Sequence, residues 1–261
     1  MRYLPEISQK ALRDYLLNPD SDFLANIEKQ DYERLGIDRA LLLASDILIR
    51  YGRADGFSIL DVGCNSGLIG RILETLGNKI DAIDNAAVDI QGSYERLSDV
   101  VKADLFDYLE TNNFRWDFVL LLSVVHHWES GYAMSGSAMY SESVIHEIFA
   151  TLKKRTSCGI YLELPLEEPG FTADFSDGFV KKYCRDFQIS EINRTVGTNG
   201  FLRRLFYLDI GGVNRNPLLE KILRNAHLYE KLESARLNVP RAKYYHLEAE
   251  LQELERALKN E

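Results

Sequence analysis

The chain has 261 residues, 46% of them hydrophobic and 27% charged, and carries a net charge of −9. This is an ordinary soluble composition, with enough apolar material for one substantial core and an accessory piece. It contains no apolar stretch long enough to cross a membrane, and its acidic balance argues against a broad polyanion-binding surface.

At the N-terminus, MRYLPEISQK lacks the charged-then-apolar layout of a secretory signal. Two helices are expected over 6–17 and 38–51, the second with Leu41, Leu42, Ala44, Ser45, Leu48 and Ile49 along one face. Elements then alternate. A buried strand is expected over 58–62 and a helix over 68–76, with Leu68, Ile69, Ile72, Leu73 and Leu76 inward and Gly77 stopping it. Strands follow over 79–84 and 99–103, and WDFVLLLSVV is apolar enough for a fourth strand covered on both faces. A helix over 142–152, a fifth strand at CGIYLELP, a helix over 175–186 and strands over 188–195 and 202–210 complete the series. This order predicts an α/β fold: a doubly wound, mostly parallel, Rossmann-like sheet whose late strand pair ends antiparallel.

GGVNRNP breaks the pattern, and the rest reads as a helical tail split at Pro240. In it, Tyr244, Leu247, Leu251, Leu254 and Leu258 form a short a/d seam, which either packs on its own domain or dimerises as a coiled coil. The expected organisation is an N-terminal helical cap over 1–52, a ligand-binding domain over 53–212 and a C-terminal helical tail over 213–261. Cys64, Cys158 and Cys184 stand apart with no C-x-x-C pair, so no zinc site or disulfide framework is expected and a reducing cytoplasm fits. The basic clusters Lys153-Lys154-Arg155, Lys181-Lys182 and Arg203-Arg204 read as solvated faces.

The chemistry concentrates in LDVGCNSG. Gly63 and Gly67 fall at the carboxyl end of a strand, where ligands of open α/β sheets bind. Glycine lets backbone approach a ligand and adopt positive φ, and Asn65 between them is the next-best tolerated type. The following helix would aim free N–H groups at an anionic part of the ligand. A phosphate loop is excluded, because no Gly-Lys-Ser/Thr follows. A dinucleotide fingerprint fits poorly with the Gly63-x-Asn65-x-Gly67-x-x-Gly70 spacing, which disfavours a nicotinamide-dependent oxidoreductase. Asp61 suits a ligand bearing a cation, such as an amino acid ammonium. Asp84 ends the second strand, where a carboxylate accepts from ribose hydroxyls. Asp104 ends the third, where an acid accepts from an adenine amino group while Leu105 supplies apolar contact.

Over residues 59–164 the chain resembles the class I S-adenosylmethionine-dependent methyltransferases. LDVGCNSG is similar to the family's first motif, D-x-G-C-G-x-G, with Asn65 at the middle Gly. AID resembles the ribose-acid motif, KADLFD the adenine-acid motif, and WDFVLLLSVVHHW the fourth-strand motif. The resemblance implies a seven-stranded sheet and S-adenosylmethionine as cofactor, with S-adenosylhomocysteine as product. It further implies Asp61, Gly63, Cys64, Asn65 and Gly67 around the methionine part, Asp84 with Asn85 at the ribose, and Asp104 and Leu105 at the adenine. Ser123 is then placed near the sulfonium side.

The acceptor is less legible. His126 and His127 follow the fourth strand, and His is the natural base near neutral pH. On an extended segment they would point opposite ways, so one is expected at the site, His127 preferred, and the other in the packing. The loop ESGYAMSGSAMYSES is a candidate lid or acceptor wall, and Glu163 a candidate acceptor contact or a partner of a neighbouring helix. N/D-P-P-Y/F, Pro-Cys and His-Glu-x-x-His are all missing, which argues against amino-group methylation of that type, C5 chemistry through cysteine, and a metal site. LSVVHHW, LELP and VGTNGFLRRLFYL with a helical tail are similar to methyltransferases that modify bacterial surface polysaccharides. DVGCNSG with LLLSVVHHW also resembles those that cap RNA 5′-phosphates. The acidic balance tilts the expectation to a glycan or small-molecule hydroxyl; RNA, or tRNA, and a non-catalytic scaffold are the alternatives.

Overall fold

A computed structural model describes residues 31–65, 67–85, 100–131, 138–166, 171, 173–196 and 202–211. All of these belong to one compact unit, Pro19–Val213. The helix expected over 6–17 and the whole tail with its a/d seam lie outside the described residues, as do residues 132–137 of the ESGYAMSGSAMYSES loop. No helix among the described residues is long and apolar enough to cross a membrane.

Helix α1 spans Asp31–Tyr51, beginning earlier than its apolar stripe suggested. Strand β1 (Ser58–Val62) leads through the glycine turn to α2 (Leu68–Thr75), then β2 (Lys79–Asp84) and the short β3 (Val100–Lys102). Helix α3 (Leu105–Thr111) is an addition to the expected elements, started by the Asp104 side chain, which accepts from the Phe106 N–H as an N-cap. Strand β4 (Trp116–Leu122) is followed by the short α4 (His126–Ser130), then α5 (Glu142–Arg155), β5 (Thr156–Pro165), α6 (Ala173–Tyr183), β6 (Gln188–Val196) and β7 (Leu202–Asp209).

The seven strands form one sheet in the order β3-β2-β1-β4-β5-β7-β6. Neighbours from β3 to β5 pair in parallel, and β7 runs antiparallel to both β5 and β6. The chain therefore moves outward from β1 through β2 to β3, then returns to lay β4 on the other side of β1. That reversal opens a crevice at the carboxyl ends of β1 and β4, where ligands of doubly wound sheets sit.

Both faces of the sheet are covered. On one, Val119, Leu121, Ile160 and Leu162 join Ile145, Ile148, Phe149 and Leu152 of α5 in a single core cluster. On the other, Phe118, Ile59 and Tyr161 are fully buried, as are Ala40, Leu43, Ala44 and Ile47 of α1. Burying each large apolar side chain contributes roughly 1.5–3 kcal/mol. Polar contacts set the position of α1 on this face. The Asp46 carboxylate accepts from Arg50 Nε at 2.5 Å and from the Tyr161 hydroxyl at 2.9 Å. The Tyr51 and Tyr207 hydroxyls lie 2.8 Å apart, and the Arg50 guanidinium sits 3.8 Å above the Tyr207 ring. Gly159 makes room for that ring, since a Cβ there would fall 2.3 Å from it.

Candidate active site

Register brings the candidate residues to one edge. Asp84 pairs with Lys102, Val62 with both Ile83 and Leu121, and Leu122 with Glu163. Gly63, Asp84, Ser123 and Glu163 thus stand in a row along the carboxyl ends of the parallel strands, and Asp104 follows β3 by two residues.

The turn after β1 is built from left-handed backbone. Gly63, Asn65 and Gly67 have φ of 67°, 49° and 75°. Only glycine fits at 63, because a Cβ there would fall 2.2 Å from Val124 Cγ1. The Gly63 and Cys64 N–H groups both donate to the Ile83 carbonyl, at 2.8 and 3.2 Å. Asn65 N–H donates to Asp84 Oδ2 at 2.8 Å. Turn and acid are therefore one hydrogen-bonded unit. The Cys64 thiol is buried, and burial with the nearby Asp61 and Asp84 carboxylates raises its pKa, so it stays protonated.

Asp61 shares its sheet face with Ile59 and is 3% exposed. Burial pushes its carboxyl up to about 7; Arg39 and a hydrogen bond from the Gly70 backbone oppose the rise, and Asp84 adds to it. Its Oδ2 has no hydrogen-bond partner among the described residues. A buried acceptor left this way is costly, and a cationic group brought to it removes the cost. The cation-bearing end of an amino acid fits that requirement.

Asp104 serves two partners. Oδ1 accepts from the Phe106 N–H at 2.9 Å, and Oδ2 from the Tyr140 hydroxyl at 2.5 Å. Burial and the Asp104 contact raise the Tyr140 phenol pKa, so it remains a donor. Leu105 is buried at the start of α3, whereas Asn85 is exposed beyond Asp84. Tyr140 is a site neighbour the sequence reading had not named; it is anchored by its N–H to the Trp128 carbonyl at 3.1 Å and by an edge contact with the Trp128 ring.

Past β4 the backbone departs from the expected extension. Ser123 has φ 62°. The strand ends at Leu122, and the His127 N–H turns back to the Val124 carbonyl at 3.1 Å. His126 and His127 therefore stand in the first turn of α4 with ring centroids 4.0 Å apart, so the opposite-faces argument does not apply. His126 is fully buried and meets Phe171 edge-on at 5.1 Å. Burial, with His127 and Arg203 nearby, pushes its pKa down to about 2, so it is neutral at any working pH. His127 is partly exposed beside it.

Glu163, fully buried at the end of β5, collects three donors. Its Oε2 accepts from the Ser123 hydroxyl and pairs with Arg39 Nη1 at 3.3 Å; Oε1 accepts from Thr195 Oγ1 at 2.5 Å. Arg39 and Thr195 were not expected here. Neither has a spacing signal, because Arg39 lies 124 positions from Glu163 in the chain.

No family model and no curated protein matches this sequence. Solved structures are similar in fold. Monomeric WbdD aligns at 17% identity and TM-score 0.50, over 70% of this chain and 42% of that one. Another structure, of the bifunctional kinase-methyltransferase WbdD, aligns at 18% and 0.49, over 68% and 39%. Magnesium protoporphyrin IX methyltransferase (ChlM) from Synechocystis PCC 6803, with bound SAM, aligns at 16% and 0.43, over 77% and 97%. The chain spans about two fifths of the length of WbdD. With its strand order, its single reversed strand and its glycine turn at the β1 end, this chain has the fold of the class I S-adenosylmethionine-dependent methyltransferases.

Proposed function

We propose that this protein transfers the methyl group of S-adenosylmethionine to a hydroxyl of a glycan or small molecule. One observation carries the reading: the left-handed residues Gly63, Asn65 and Gly67 stand with Asp84 and Asp104 at one strand-end edge, and the Asn65 N–H is bonded to Asp84. In this reading the Gly63-Cys64-Asn65-Gly67 backbone surrounds the methionine part. The Asp61 carboxylate receives its ammonium, Asp84 with Asn85 the ribose hydroxyls, and Asp104 with Leu105 the adenine. Ser123 borders the sulfonium side. When bound, the cofactor supplies a methyl group already activated on sulfur. The protein's own work is to align the acceptor and exclude water.

His127 is our candidate for taking the hydroxyl proton. His126 beside it is too strongly desolvated to hold one, and packs as an uncharged ring. The acidic balance supports an uncharged acceptor over RNA, and the three isolated thiols fit a cytoplasmic setting.

The test is calorimetric titration of S-adenosylhomocysteine into the wild type and Asp84→Ala. We expect micromolar binding, about −8 kcal/mol, weakened roughly 100-fold in the variant as the hydrogen bonds to a carboxylate are lost. A silent wild type overturns the reading. Once an acceptor is in hand, His127→Ala is expected to lower kcat by about 10²–10⁴ with cofactor affinity unchanged.

A further inference from the structure

We propose that Glu163 is a positioning residue of the cofactor edge: it holds Ser123 in the left-handed conformation and, through Val124, keeps the glycine turn in place. The proposal rests on the methyltransferase reading above and adds a residue and a mechanism to it.

Among the described residues, Asn65 and Ser123 are the non-glycine positions with positive φ. Asparagine visits that region readily, but serine has no such leaning. An external contact has to hold Ser123 there, and its hydroxyl donates to Glu163 Oε2. Glu163 is itself immobilised by three structural elements. It is part of β5, takes the Arg39 guanidinium from α1 at 3.3 Å, and takes the Thr195 hydroxyl from β6 at 2.5 Å. It is fully buried, so water does not compete for these bonds.

The next link is steric. Val124 follows Ser123 directly, and its Cγ1 occupies the space where Gly63 would carry a Cβ, 2.2 Å from that position. A change of backbone at 123 therefore moves Val124 against the turn. From Gly63 the turn continues to Asn65, whose N–H is bonded to Asp84. A carboxylate on β5 is in this way connected to the acid on β2 through three contacts, Glu163 with Ser123, Val124 with Gly63 and Asn65 with Asp84, across two intervening strands.

The experiment compares S-adenosylhomocysteine binding by calorimetry in the wild type, Glu163→Ala, Glu163→Gln, Ser123→Ala, Ser123→Gly and the double variant Glu163→Ala/Ser123→Gly. Glycine adopts positive φ unaided. The expected result is about tenfold weaker binding in Glu163→Ala and in Ser123→Ala. Ser123→Gly should bind several-fold more tightly than Ser123→Ala, the double variant should recover several-fold over Glu163→Ala, and Glu163→Gln should lie between Glu163→Ala and the wild type. A merely structural Glu163 would lower thermal stability without being rescued by glycine at 123. Binding by the double variant no better than by Glu163→Ala overturns the proposal, and so does Ser123→Gly binding as weakly as Ser123→Ala. That second comparison decides the matter if Glu163→Ala does not fold. Wild-type binding with every variant unchanged overturns the proposal alone; a wild type that does not bind overturns the cofactor reading and the proposal together.

Discussion

The two ends of the same strands are built by opposite rules. At the amino end of β4, Asp117 accepts from the Ser58 N–H at 2.8 Å, the Ser58 hydroxyl at 3.0 Å and the Ser157 hydroxyl at 2.8 Å. Nearby, Asn78 accepts from the Phe57 N–H at 3.1 Å and donates to the Ala54 and Leu73 carbonyls at 2.9 Å each. At the carboxyl end, Gly63, Asn65, Gly67 and Ser123 all have positive φ, and the buried Asp61 keeps one oxygen without a partner. Burial pushes both aspartates upward. At Asp117 the hydrogen bonds from Ser58 and Ser157 outweigh it and the pKa falls, while at Asp61 burial wins and the pKa rises to about 7. Asp117 and Asn78 tie the amino end together, whereas the Asp61 Oδ2, without a partner among the described residues, lies at the end where the proposed function places the cofactor.

Several substitutions would break or sharpen that contrast. The largest effect is expected from Gly63→Val, which forces a branched side chain to φ 67° and into Val124. Left-handed strain and overpacking together should cost about 2–5 kcal/mol. Chemical denaturation should show that loss, and calorimetry should show S-adenosylhomocysteine binding abolished.

Next is the pH response of Asp61. Its folded pKa of about 7 lies above the ordinary 3.8. Its contribution to stability is therefore fully present below about pH 4 and lost as the pH rises through about 7, by up to about 4 kcal/mol. Cofactor binding should show the opposite trend if the ammonium pairs with the ionised carboxylate, strengthening by up to about tenfold per unit until pH 7 and then levelling. Asp61→Asn should flatten both profiles. Unfolding and titration series from pH 5 to 8 measure them.

Asp117→Ala is expected to cost roughly 1–3 kcal/mol, from the bonds it accepts. It should leave the affinity for S-adenosylhomocysteine unchanged. Its contribution runs with the opposite sign of pH: present above the ordinary carboxylate pKa and lost as pH falls through the lowered folded value. A change in cofactor affinity here would break the division between the two ends. The smallest effect is expected from Phe114→Ser, since Phe114 is 54% exposed. A shift within about 0.5 kcal/mol by denaturation is the expected result.

Much of this architecture is written locally. Apolar runs of strand length, helical spacing and the small-residue turn act over a few residues, so β1, β2, β4 and α2 and the acids at their ends could be read one segment at a time. Asp104 is legible in type as an N-cap, yet the helix it starts has only seven residues, too few to show a clear helical period. The order of the motifs also pointed to the methyltransferase fold. Tertiary structure decided what depends on distant groups. Nothing in the residue type of Ser123 signals positive φ, and that conformation turns His126 and His127 into a helix. Arg39 meets Glu163 only because α1 lies across the sheet face, 124 positions away in the chain. Burial far from any short-range pattern raises the pKa of Asp61 to about 7, while at Asp117 the hydrogen bonds from Ser58 and Ser157 outweigh burial and lower it. Sequence spacing specifies which face a side chain takes; solvation and partners are set by whatever the rest of the chain packs against it.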